Sequence, residues 1–212
     1  ARAREGGPML QTQNLAARRG EAVLFSDLSF SLPPGAALVI GGPNGSGKTT
    51  LLRILAGLTH AEHGALSWCG TPMRPFDPRL RTEVLFIGHL PALKDELTAL
   101  ENLASLAALA GPRPAAARVR EALASWGLAR QHDLPARVLS QGQKRRVALA
   151  RLALASAPLW LLDEPATALD DAGVATLCDA VGAHLASGGV AVIATHQTLA
   201  LPDGAVQSLR LA

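Results

Sequence analysis

Gly42-Pro43-Asn44-Gly45-Ser46-Gly47-Lys48-Thr49, continued by Thr50, fits the phosphate-loop pattern GxxxxGK[ST], and its neighbours decide what it means. Ahead of it the apolar run Ala36 to Ile40 reads as a strand. Behind it Thr50 to Leu58 carries Leu51, Leu52, Ile54, Leu55 and Leu58 at helical spacing, with an end near Gly57. Strand, tight loop and helix are the context in which this motif holds phosphate. Glycines let the backbone curl until successive N–H groups face an anion, Lys48 can reach the outer phosphates, and the Thr49 hydroxyl can sit on Mg²⁺. The stretch predicts a nucleoside triphosphate site.

The chain has 212 residues, of which 49% are apolar, enough for one full core or a main domain with a smaller lobe. No window approaches 18 apolar residues without a charge or a turn former, so no membrane span is expected. Residues 1–8 read as an extension ahead of a single domain over 9–212, with Met9 as the expected natural start. Cys69 and Cys178 lie far apart with no metal-ligand spacing, which predicts reduced thiols. The net charge of +3 is uneven: Arg118, Arg120, Arg130, Arg137, Lys144, Arg145, Arg146 and Arg151 face only Glu121 and Asp133 in their segment. A basic lobe could meet nucleic acid, an anionic membrane surface or an acidic partner. Tyr is absent and aromatics are 3%, so the stacking surface that single-stranded nucleic acid requires is missing, and no nucleic-acid partner is expected.

Short apolar runs at Val23 to Phe25 and Leu28 to Leu32, the turn Pro33-Pro34-Gly35, and runs at Ala65 to Cys69 and Val84 to Ile87 make the first part β-rich. From Thr98 the period becomes helical. Thr98 with Glu101 forms a capping box, a second helix spans about Ala115 to Trp126, and Ser140 with Gln143 opens a third, to about Ala155. Leu159 to Leu162 and Val190 to Ala194 read as strands around a helix over Val174 to Leu185. The pattern predicts a mixed α/β protein with its ligand at strand ends.

Three constellations carry chemistry. Asp163 and Glu164 follow a buried apolar strand, so two carboxylates arrive at its C-terminal edge: Asp163 suits Mg²⁺, and Glu164 suits a general base for water. Ser140-Gln141-Gly142-Gln143 opens a helix whose free N–H groups and Gly142, permitting close approach, suit an anion supplied across a dimer. A plain N-cap at Ser140 is the alternative. His196, just past Val190 to Ala194, could contact the terminal phosphate and the water held by Glu164, and Asp170 could start a turn that reaches a partner copy. His60, His63, His132 and His184 show no ligand spacing and are expected at the surface.

In this order and spacing, Gly42 to Thr50, Leu139 to Gln143, Leu161 to Pro165, Ala168-Leu169-Asp170 and His196 resemble the nucleotide-binding subunits of ATP-binding cassette transporters, over about Leu10 to His196. The resemblance implies a phosphate-loop NTPase of the ABC ATPase type: a mixed RecA-like α/β core, an antiparallel β subdomain, and a helical subdomain inserted over about 89–157. It implies ATP and Mg²⁺ as cofactors. It also implies a second copy closing over two ATP molecules, each γ-phosphate between Lys48 of one copy and Ser140 and Gly142 of the other. His89 stands where the family usually has a Gln that touches Mg²⁺, Arg18 and Arg19 stand near its adenine-stacking aromatic, and Gln141 replaces the first glycine of the signature.

The His89 and Arg18-Arg19 departures, with Lys94, Leu97 to Leu103, Gly142 to Leu152, Ala157 to Trp160 and Thr195 to Gln197, are similar to the ATPase subunit of the haem exporter complex of bacterial cytochrome c maturation. That likeness implies a peripheral subunit on the cytoplasmic face of the inner membrane with integral membrane partners, its turnover tied to releasing a haem-loaded periplasmic chaperone. No Cys-x-x-Cys-His pattern is present, and direct haem binding is not expected. An ABC ATPase serving another small molecule or a lipid would carry the same catalytic residues.

Overall fold

Alternate residues along Leu159 to Asp163 and Val190 to Ala194 bury into two different cores, and this period of two organises the molecule. Trp160, Leu162, Ala191 and Ile193 enter one core; Leu159, Leu161, Val190, Val192 and Ala194 enter the other. Both strands are buried along their whole length, as expected of parallel strands covered on two faces.

The computed structural model describes residues 9–212, so the expected extension 1–8 lies outside the described residues. In chain order the elements are β1 (Leu10–Arg19), β2 (Ala22–Leu32), β3 (Ala37–Gly41), α1 (Lys48–Leu55), β4 (His63–Trp68), β5 (Thr71–Pro72), α2 (Leu80–Glu83) and β6 (Val84–Ile87). They continue as α3 (Ala99–Ala107), α4 (Ala116–Ser125), α5 (Gln141–Leu149), β7 (Leu159–Asp163), α6 (Asp171–Ala186), β8 (Val190–Ala194) and β9 (Val206–Arg210). A five-stranded parallel sheet has the order β6-β7-β8-β3-β9, and a four-stranded antiparallel sheet the order β2-β1-β4-β5. The antiparallel sheet and α1 share the core of Leu15, Phe25, Leu38, Ile40 and Leu52. Helices α3 to α6 share the core of Leu103, Leu123, Val147 and Val181 on the opposite face.

Several local readings change. The two runs before Pro33 form one strand, β2, whose middle carries Asp27 at φ 55°; on β1, Asn14 stands at φ 49° and donates its N–H to Ser29 Oγ at 2.8 Å. The ladder between them shifts register, so a bulge breaks the alternation that had suggested two separate strands. Asp and Asn are the non-glycine residues that tolerate this conformation best. The third helix ends as an α-helix at Leu149 and tightens to a 3₁₀ turn over Ala150–Ala153. Strand β9, mostly exposed and polar, has no apolar signature; it exists because the β3 edge needs a backbone partner, and Leu211 N–H donates to Gly41 at 3.0 Å just past it. The capping box at Thr98 is present, and the main-chain N–H of Thr98 holds the Glu101 carboxyl below its usual range.

His184 is not a surface residue. Its ring stacks on Trp160 with centroids 3.8 Å apart and planes within 7°, and Nε2 lies 3.2 Å from the Val190 carbonyl. Burial pushes the imidazole below its ordinary 6.5. A folded-state pKa below the unfolded one means the unfolded chain takes up the proton first, so this contribution is intact above about pH 6.5 and is lost as pH falls. His184→Gln is therefore expected to cost roughly 1 kcal/mol at neutral pH from the lost stack. It should also flatten the decline in Tm on acidification. Parallel Tm–pH curves for parent and variant would refute the assignment.

Candidate active site

The loop after β3 is shaped by glycines that cannot be replaced without cost. Gly42 has φ 137°, and a Cβ there would stand 2.4 Å from the Leu211 carbonyl oxygen and 2.9 Å from Ser46 Oγ. Gly47, at φ 98°, is the N-cap of α1, so the helix starts at Lys48 rather than at Thr50. No side chain caps that end and its first turn has no acidic residue, which leaves the early N–H groups and the positive end of the helix dipole for an anion. Lys48 is 7% exposed, and Nζ donates to the Gly42 carbonyl at 2.8 Å and the Pro43 carbonyl at 2.9 Å. Among the described residues no carboxylate pairs with this buried ammonium. Ser46 Oγ is buried with no hydrogen-bond partner, while Pro43, Asn44 and Gly45 form the exposed tip. A buried cation lacking a counter-ion, an orphaned hydroxyl and an uncapped helix start together fit a polyphosphate.

Register brings the remaining groups to the same edge. Ile40 lies opposite Ala194, and Asp163 is also opposite Ala194, so β3, β8 and β7 end level. Thr49 Oγ1 donates to Asp163 Oδ2 at 2.8 Å, and Asp163 is 2% exposed. A hydroxyl and a carboxylate are the hard oxygen donors that suit Mg²⁺. Glu164 takes φ 48°, donates its N–H to the Ala194 carbonyl at 2.8 Å, and sets Oε2 2.9 Å from His196 Nδ1. The Glu164 side chain is 13% exposed and that of His196 is 65% exposed, an arrangement in which a sheltered carboxylate meets a solvent-facing imidazole.

The start of α5 has more internal purpose than its composition suggests. Ser140 Oγ accepts from Gln143 N–H at 3.2 Å while Gln143 Oε1 accepts from Ser140 N–H at 2.9 Å, so Ser140 is an N-cap in a complete capping box. A Cβ on Gly142 would lie 2.7 Å from the Ala168 carbonyl oxygen, so the glycine is required inside one chain. Ser140 and Gln141 remain exposed. The basic run is also largely spent within the fold: Lys144 pairs with Asp95 at 2.9 Å, Arg146 pairs with Asp170, and Arg145 is buried among backbone carbonyls. Asp170 caps α6 by accepting from Gly173 N–H at 2.8 Å, and that bond together with Arg146 holds its carboxyl below the usual range.

Arg18 and Arg19 are exposed at the end of the β1–β2 hairpin, where Arg18 lies 3.8 Å from Glu62. That hairpin reaches the phosphate loop through Leu24 and Phe25, which pack on Gly47. His89 follows β6 with an exposed side chain and a carbonyl that accepts from Arg145 at 3.2 Å. Arg145 is the residue that sequence reasoning missed: it stands among the basic residues of the lobe, and only its place just before the apolar run Val147-Ala148-Leu149 could have marked it as unusual.

Both Gly42→Ala and Gly45→Ala carry a positive-φ cost, but only Gly42 carries a clash, since a Cβ at Gly45 would meet nothing within 4 Å. Gly42→Ala is expected to lower nucleotide affinity by a further factor of roughly 10 relative to Gly45→Ala, from about 1–3 kcal/mol of local strain. Titration with a fluorescent ATP analogue, alongside Tm, measures the difference, and equal affinities would contradict this reading of the loop.

The model of the ABC transporter family matches residues 25–167. The chain is 48% identical over 203 residues to the cytochrome c biogenesis ATP-binding export protein CcmA of Nitrosomonas europaea, covering 96% of this chain and 95% of that protein. It is 51% identical over 191 residues to the CcmA of Aromatoleum aromaticum, covering 90% and 89%. Among solved structures, a putative ABC transporter ATP-binding protein from Pyrococcus furiosus shares the fold at TM-score 0.81 and 23% identity, covering 95% and 97%. An ATP-binding cassette described as a dimeric post-hydrolysis state bound to ADP and Pi aligns at TM-score 0.76 and 28% identity, covering 89% and 88%. A RecA-like core with a helical subdomain and a phosphate loop makes this an ATP-hydrolysing ABC subunit that uses ATP and Mg²⁺. The chain thus belongs to the ABC transporter family, within its CcmA branch of cytochrome c biogenesis ATP-binding export proteins.

Proposed function

We propose that this chain is the ATP-driven motor of a membrane complex for cytochrome c maturation, coupling ATP hydrolysis to haem handling or to release of a haem-loaded periplasmic chaperone. The carrying observation is 48% identity, over 96% of the chain, to a protein named for cytochrome c biogenesis. The motor lies peripherally on the cytoplasmic face of the inner membrane. Among the described residues no helix is long and apolar enough to cross a membrane, so integral subunits supply the span.

The loop from Gly42 to Thr50, through its main-chain N–H groups other than at Pro43 and through Lys48, holds the triphosphate, and Arg18 and Arg19 lie toward the base. Thr49, Asp163 and His89 would hold Mg²⁺, which when bound would neutralise charge on the phosphates. Glu164 accepts the proton of the attacking water, and His196, fixed to Glu164 at 2.9 Å, orients that carboxylate and faces the terminal phosphate. Ser140, Gln141, Gly142 and Gln143 of the partner subunit close on the same phosphates, and Asp170 lies toward that interface. The dimeric state named for the cassette at 28% identity supports this pairing.

A cavity of about 1080 Å³ opens between the α2 and β6 region and α3 to α4. Phe76, Leu109 and Leu58 are exposed on it at 69%, 62% and 49%, and Arg113 and Arg118 rim it. It is the docking place for a short apolar segment of a membrane subunit, with the arginines toward anionic head groups. One wall is the helical segment, and the other is core residues 56–58 and 76–86.

Glu164→Gln is expected to bind ATP normally, to lower turnover by about 10²-fold or more, and to trap an ATP-dependent dimer. In a strain whose own copy is deleted it should fail to restore covalent haem on periplasmic c-type cytochromes. Turnover near that of the parent removes Glu164 as base. Normal cytochromes in the deletion strain remove the pathway.

A further inference from the structure

Arg145 is 3% exposed, and the contacts of its guanidinium are unlike those of a surface cation. Nε donates to the Pro165 carbonyl at 3.1 Å, Nη1 to the carbonyls of Gly88 at 2.8 Å and His89 at 3.2 Å, and Nη2 to those of Asp163 at 2.9 Å and Glu164 at 2.7 Å. A guanidinium has five N–H donors in a planar fork, and here each finds a backbone oxygen. One side chain from α5 therefore ties together the end of β6 and the turn that follows β7.

We infer that Arg145 is a positioning residue for hydrolysis: by fixing the main chain on both sides of Glu164 it aims the carboxylate, and it makes that aim follow the position of α5. This rests on the proposed role of Glu164 as base and of the α5 start as the grip on the partner's nucleotide. Glu164 needs such support because its φ of 48° is unfavourable for a residue with a Cβ. Its N–H is held by Ala194 at 2.8 Å, and its carbonyl accepts from Arg145 Nη2 at 2.7 Å and, more weakly, from Thr167 N–H at 3.2 Å. Without Arg145 the carbonyls of Asp163 and Pro165 lose their guanidinium donor and that of Glu164 keeps only the longer Thr167 bond, so the residue can relax toward ordinary φ and swing the carboxylate from its place at 2.9 Å from His196.

The link to α5 is short and stiff. Ser140 precedes Arg145 by five residues, about 7.5 Å of helix. Two further ties bind α5 to the stretch after Glu164: Arg146 pairs with Asp170, and Gly142 packs without a Cβ on the Ala168 carbonyl, where Ala168 itself has φ 64°. The start of α5 and residues 163–170 thus form one body. When Ser140 meets the triphosphate of the opposite copy, Glu164 in its own copy is set by the same movement, so the two sites of a pair report to each other through a guanidinium. Lys cannot substitute, because three donors at one point do not span five oxygens on two strand ends.

The test uses Arg145→Lys in the complex purified with its membrane subunits. The expected result is ATP affinity and KM within about threefold of the parent, with kcat lowered roughly 30- to 100-fold, the scale of a misplaced catalytic group. In the Glu164→Gln background the same substitution should cost less than about threefold, because Arg145 acts through Glu164. If Arg145→Lys lowers Tm so far that the rate is ambiguous, Arg145→Ala with millimolar methylguanidine is the second reading, and recovery of kcat without a change in KM is expected. Parent-like kcat in Arg145→Lys, loss confined to KM, an equal loss in the Glu164→Gln background, or no methylguanidine recovery where that variant is needed would each overturn the inference. A Glu164→Gln enzyme that turns over normally would instead remove the base assignment on which the inference stands.

Discussion

Parallel pairing of β3, β7 and β8 levels their C-terminal ends, and the contacts of Thr49 with Asp163 and of Glu164 with His196 follow from that register. Ile40, Asp163 and Ala194 arrive at one height because the main chains are locked residue to residue, with both faces of the strands buried. The consequence is that Thr49, which follows β3, meets Asp163, which ends β7, across 114 residues of chain. Glu164 and His196 meet for the same reason, each just beyond its strand. A slip of one residue in either strand would also exchange the two cores, since Leu161 and Leu162 face opposite sides. The fold protects the site through the same alternation that buries its apolar residues.

Two buried cations, Lys48 and Arg145, are stabilised in different ways, and the difference matches what each must do. Lys48 has two carbonyl partners in a loop whose tip is exposed, so its charge is only partly compensated and stays available to an incoming anion. Arg145 has all five donors engaged by main-chain oxygens. A cation so engaged costs less to bury than an unpaired one, and removing it leaves five carbonyls short of a donor. One charge is held ready for substrate; the other is consumed in shape.

The phosphate loop, the two capping boxes and the strand runs at 84–87, 159–162 and 190–194 were legible in the sequence because each is local, a motif or a periodicity within a few residues. What escaped depends on residues far apart. Strand β9 is polar and is recruited by the open edge of β3. The continuous β2 hides behind a bulge that only its pairing with β1 reveals. His184 is buried by Trp160, whose indole comes from another element. Arg145 looks identical to Arg146 in sequence, yet one is enclosed by backbone and the other pairs with Asp170. Gly142 was read as permitting close approach of a ligand, and its second requirement, room for the Ala168 carbonyl 2.7 Å from where a Cβ would stand, came only with the fold. Motif spacing foresaw which residues gather at the strand ends, and it did not foresee which of them are needed to hold the others still.

The two helix starts offered to phosphate are not alike. At α1 the N-cap is a glycine with no side chain to satisfy the first N–H groups, and the adjoining Ser46 hydroxyl is buried without a partner. At α5 the cap is complete: Ser140 and Gln143 satisfy each other, and the helix is stable with nothing bound. An uncapped start gains most from a permanent anion, whereas a capped one gives up a hydrogen bond of about 1 kcal/mol to take one. On the proposed reading this sets the order of events. A single copy loads nucleotide at α1, and α5 engages the phosphates of the opposite copy only when closure repays the cap it must loosen. Hydrolysis needs to remove little of that marginal gain before Ser140 returns to Gln143 and the pair reopens.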